Sequence, residues 1–69
     1  MPKYYVNRNA QPLSGDHEVH VIGCAWMPQA HNCVDLGEHL SCVTAVQRAR
    51  YYFPDSNGCA HCSPACHTT

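Results

Sequence analysis

Two short stretches near the start of the chain carry the residue pattern of strands. Lys3–Asn7, KYYVN, is rich in strand-favouring residues, and His17–Ile22, HEVHVI, alternates apolar with polar positions. Between them, NAQPLSGD contains Pro12 and Gly15, so the pattern predicts a hairpin closed through the Asn9–Gly15 loop. A second loop, MPQAHN, follows, and Pro28 excludes a helix running through it. Cys33–Leu36, CVDL, reads as a short third strand.

The period changes after Ser41. Cys42, Ala45, Val46, Ala49 and Phe53 recur at offsets of 3, 4, 7 and 11, the spacing of one helical face. The spacing predicts a helix over Ser41–Phe53 with Val46 facing the sheet. Ser41 is a good N-cap, because its hydroxyl can accept from an unpaired first-turn N–H. Arg48 and Arg50 fall near the C-terminal end, where cations suit the helix dipole. Pro54 stops the helix by pushing Phe53 out of helical geometry. PDSNG then turns the chain into a tail, CAHCSPACHTT. The expected architecture is α+β: one domain over residues 1–69, with a small antiparallel sheet of two to three strands on one helix and a C-terminal cysteine-rich hook. Cys24, Cys33 and Cys42 are spaced by nine, but their surroundings differ, so the spacing is not read as a repeat.

Length makes that tail important. A chain of 69 residues buries only roughly 60% of the surface its unfolded form exposes. Domains of this size commonly lean on disulfides, a metal or oligomerisation. Six cysteines and six histidines supply the means. Charge adds little: four Lys+Arg face five Asp+Glu, a net charge of −1. Counterion release on nucleic acid needs clustered Lys and Arg, which this chain lacks, so no strong nucleic-acid partner is expected. The longest apolar patch, VIGCAWM, is far too short to span a bilayer. MPKYYVNRN shows no signal-peptide core. The expected compartment is the cytoplasm, where a cysteine cluster more often binds metal or performs catalysis than forms bridges.

Within the tail, Cys59-Ala-His-Cys62 can grip one ion from a tight turn, with Gly58 leaving the backbone beside the first ligand unhindered. A pair is half of a tetrahedral site. Cys24, at the tip of a turn after Gly23, is the best distant partner. Cys66 is the best local one, if the tail makes a helical turn with Pro64 at its start. His20 and His67 are the alternative fourth ligands. A straight strand would hold His20 and Cys24 roughly 13 Å apart, and only a turn at Gly23 lets them share an ion. Otherwise His20 is a half-exposed strand histidine. His17, His31 and His39 read as surface residues. Cys33 reads as packing. Cys42 reads as a small buried hydrophobe, with a disulfide or ligand role as the alternative.

The residues HEVHVIGCAW, the LGEHLSCVTAV step and the GCAHCSPACH tail resemble a group of small bacterial cysteine-rich proteins of unknown function, over about His17–Thr69. A looser resemblance is to the Ada-type metal-binding domain, a small sheet and helix holding zinc. That resemblance implies zinc at Cys24, Cys59 and Cys62. The Ada-type second turn cysteine would fall at position 28, which is Pro28, so the fourth ligand must change. DNA repair is not implied, because the basic surface is missing.

The favoured reading is therefore a structural zinc module that acts by binding a partner, with a protein as the candidate partner and no catalytic residue assigned. The alternative is a disulfide-stabilised or thiol-redox protein using CAHC, which resembles the Cys-Gly-His-Cys of disulfide isomerases. There the pair opens a long helix that lowers a thiol pKa; here it follows the clear helix. CSPACH is a stretched form of the haem attachment motif and lacks its normal spacing. Ser14, Asp16 and His17 are neighbours in sequence only, and loop composition accounts for them.

Overall fold

The computed structural model describes residues 1–68. Lys3–Asn7 (β1) pairs antiparallel with His17–Val21 (β2), Tyr5 standing opposite His20. Cys33–Glu38 (β3) pairs antiparallel with the other edge of β1, and the register slips between Tyr4 and Tyr5. Cys42–Ala49 forms the helix α1. After it, Ser56–Gly58 (β4) lies parallel to β2, Val19 standing opposite Gly58. The sheet order is β3-β1-β2-β4.

Two expectations need correction here. The sheet has four strands, not two to three, and it is mixed rather than antiparallel. The extra strand, Ser-Asn-Gly, has no strand-favouring residue. It exists because the helix returns the chain alongside β2, where the edge of β2 offers unpaired backbone groups. The Cys59 N–H completes the ladder by donating to the Val19 carbonyl at 2.9 Å. The helix also ends earlier than Phe53. Ser41 caps it as expected, accepting from the Val43 N–H at 3.3 Å. Beyond Arg50, the Tyr52 and Phe53 N–H groups both donate to the Ala49 carbonyl, so the chain unwinds through a turn before Pro54.

Cys42, Ala45, Val46 and Ala49 are buried, the face the spacing indicated. They pack on Tyr4, Val6, Val19 and Leu36 from the sheet. Cys42, the first residue of α1, is disulfide-bonded to Cys66, with Cα atoms 6.2 Å apart. The bridge ties the short 3-10 turn Pro64–Cys66 to the helix. Among the described residues, no helix is long and apolar enough to cross a membrane.

The histidines first read as surface residues differ among themselves. His31 is exposed. His17 donates from Nδ1 to the Asn7 carbonyl at 2.9 Å and stacks on Phe53. His39 donates from Nε2 to the Leu36 carbonyl at 2.8 Å, which leaves Nδ1 to accept from the Thr44 hydroxyl at 2.9 Å. His17 thus ties the ends of β1 and β2 to the segment after α1, and His39 ties β3 to α1. Cys33 is buried, and its thiol points at the Pro28 carbonyl, 3.9 Å away.

Candidate metal centre

The centre of β2 is buried on both sides. Successive strand side chains point to opposite faces, so Val19 enters the helix-facing core and His20 the other side. Both are 0% exposed. A buried imidazole there needs polar company, and two turns supply it.

The first turn follows β2. Gly23 has φ +90°, a conformation that side chains other than glycine's rarely adopt. The chain reverses there, and the Cys24 N–H donates to the Val21 carbonyl at 3.1 Å. Four residues that would span about 13 Å in a straight strand are thereby folded back, and Cys24 comes beside His20. The second turn follows β4. Gly58 sits where the tail crosses closest: a Cβ at that position would lie 2.7 Å from both the Cys66 Cβ and the Ser63 carbonyl oxygen. Past it, the Ser63 N–H donates to the Cys59 carbonyl at 2.8 Å, closing a loop that presents both Cys59 and Cys62.

His20, Cys24, Cys59 and Cys62 each offer one ligand atom, and all four atoms lie within 4.8 Å of one another. Ligands at zinc-like bond lengths around one tetrahedral centre would stand about 3.5–3.8 Å apart, so a small contraction suffices. Nδ1 of His20 lies 3.8 Å from the Cys62 sulfur and is the ring nitrogen that faces the cluster. Backbone donors point at the sulfurs: the Val21 N–H at Cys62 and the His61 N–H at Cys59, each at 3.4 Å. Such donors favour a thiolate.

Burial, together with the adjacent Cys24 and Cys59 sulfurs, pushes the Cys62 thiol up to about 12, against the opposing Val21 N–H and Ser63 hydroxyl. Burial pulls His20 down from its ordinary value, although the Glu18 carboxylate partly opposes this. The imidazole is thus kept neutral, the form that binds metals. Crowded thiols resist ionisation unless a cation stands among them, and a bound ion reverses that preference.

Three of the four metal ligands expected from sequence, Cys24, Cys59 and Cys62, come together. Cys66 does not join them, because its sulfur is bonded to Cys42 and has no thiolate to give. The fourth member of the cluster is His20, first considered as an alternative fourth ligand. The other alternative, His67, donates from Nδ1 to the Gly58 carbonyl at 3.0 Å and braces the tail instead. The sequence signal for His20 was present in Gly23, the residue that permits the turn.

No family model, curated protein or solved structure matches the chain. The chain presents one histidine and three cysteines arranged so that they could hold a metal ion, beside a separate disulfide.

Proposed function

We propose that the protein is a small zinc-stabilised module that acts by binding a partner, with the ion held by His20 through Nδ1 and by Cys24, Cys59 and Cys62. The observation that carries this reading is the convergence of four ligand atoms within 4.8 Å, one from strand β2 and three from two turns far apart in sequence. Three sulfurs and one imidazole suit a borderline-soft ion that accepts tetrahedral geometry, and zinc is the common one. Four protein ligands leave no open position for substrate, so the role is structural. The ion would close the C-terminal tail onto β2 and add stability to a chain with little core. The proposed partner is a protein; the exposed Trp26, Tyr51 and Tyr52 offer aromatic surface of the kind enriched at protein interfaces.

The thiol-redox alternative has less support. A catalytic dithiol needs one thiol with a depressed pKa, whereas Cys62 is pushed up to about 12 and Cys59 is fully buried. The 3-10 turn Pro64–Cys66 is too short to act as an activating helix.

The test is native and denatured intact mass of protein purified without added metal. One zinc per chain, with Cys24, Cys33, Cys59 and Cys62 reduced, is expected. A folded protein without metal, whether or not Cys42 and Cys66 are bridged, would overturn the proposal.

A further inference from the structure

One buried group of the site has a ring nitrogen without a hydrogen bond. His20 is 0% exposed, its Nδ1 faces the Cys62 sulfur, and its Nε2 is fully buried with no hydrogen-bond partner. An unpartnered buried N–H is costly. Glu18 stands two residues earlier on β2 and so projects to the same face as His20. Its Oε1 lies 3.6 Å from Nε2, and its side chain is 21% exposed.

We propose that Glu18 is the positioning residue of the metal centre: its carboxylate accepts the Nε2–H of His20 and so fixes the tautomer that presents Nδ1 to the ion. This inference rests on the metal reading above. An imidazole bound to metal through Nδ1 must carry its proton on Nε2, so the tautomer required for ligation is the one with a donor to offer. Glu18 is the carboxylate placed to receive it, a few tenths of an ångström beyond hydrogen-bond range. The pairing restrains ring rotation and makes Nδ1 a better electron-pair donor, the usual effect of a carboxylate behind a ligating histidine. It also explains the position of an acid beside a sulfur-rich centre, where like charge alone would disfavour it. Glu18 is not one of the described residues whose ligand atoms converge.

The experiment uses the zinc-loaded protein. Long-range proton–nitrogen NMR of the His20 ring should show zinc on Nδ1 and a slowly exchanging proton on Nε2. A proton on Nδ1, or zinc on Nε2, overturns the proposal. Zinc affinity is then measured by chelator competition. Glu18→Ala should weaken binding about tenfold to a hundredfold and speed exchange of the Nε2 proton. Glu18→Gln, whose amide oxygen can still accept, should recover much of the loss. Unchanged affinity and unchanged proton exchange in Glu18→Ala overturn the role of Glu18 while leaving the metal site intact. A wild-type protein that takes up no zinc overturns the metal reading, and this inference with it.

Discussion

Trp26 stacks on His61, with ring centroids 4.3 Å apart and planes 15° from parallel. One ring stands two residues beyond Cys24 and the other directly before Cys62, so the stack joins the two turns that supply the sulfurs. Trp26 is the only tryptophan in the chain. Its emission should therefore report on the site. Adding a strong chelator to the zinc-loaded protein is expected to change both the intensity and the wavelength of Trp26 emission, and zinc should restore them. Cys59→Ser should show no such response. Identical spectra with and without chelator in wild type would mean that the stack is independent of the ion.

The two roles of cysteine should separate by mutation. Cys66→Ser removes the bridge to Cys42, a cross-link with a sequence separation of 24. Loop-closure entropy predicts a loss of roughly 3 kcal/mol, read from denaturant unfolding, with zinc content retained. Cys59→Ser should lose zinc and retain the bridge. If Cys66→Ser abolishes zinc binding in a protein that still folds, the assignment of the four ligands is wrong. In a reducing compartment Cys42 and Cys66 would be free thiols, and the ion would carry more of the stability.

Gly58→Ala should be disruptive although the change is one methyl group. That carbon would sit 2.7 Å from the Cys66 Cβ and from the Ser63 carbonyl oxygen, and neither is the free end of a flexible side chain. Overpacking of this kind costs about 1–3 kcal/mol, and here it would also push the tail outward and weaken zinc binding. A variant of wild-type stability and affinity would show that the tail is not held this closely.

Zinc uptake should release protons. Cys62 is held protonated at neutral pH by a thiol pKa pushed up to about 12, yet it must be a thiolate to bind. Protons compete with the ion, so affinity should rise with pH across the neutral range. Calorimetry in buffers of different ionisation heat would measure the release. Equal apparent affinity at pH 6 and pH 8 would argue against thiolate ligation.

The helix and the first hairpin were legible because each follows one rule. Ala45, Val46 and Ala49 share a face by helical period, and Tyr4 and Val6 share one by strand period. β4 was not legible. Ser56, Asn57 and Gly58 have no preference for a strand, and their conformation comes from pairing with His17, Glu18 and Val19. The choice between His20 and Cys66 was half legible: Gly23 signalled the reversal that brings His20 in, but Cys42 claiming Cys66 is a tertiary fact. Glu18 gave no signal at all in sequence, since an acid two residues before a histidine is ordinary in an alternating strand.

The adjacency of Val19 and His20 on β2 has a consequence for how errors are rejected. A slip of one residue in the pairing of β2 would turn the imidazole towards the apolar helix and the valine towards the sulfurs. Neither side would then be acceptable: the core would hold a polar ring, and the cluster would lose its nitrogen. An ion able to bind only the correct register would withdraw that state from the equilibrium and leave the slipped ones behind. In this small sheet, which has little apolar surface with which to choose among alignments, metal uptake would serve as a proofreading step for strand pairing.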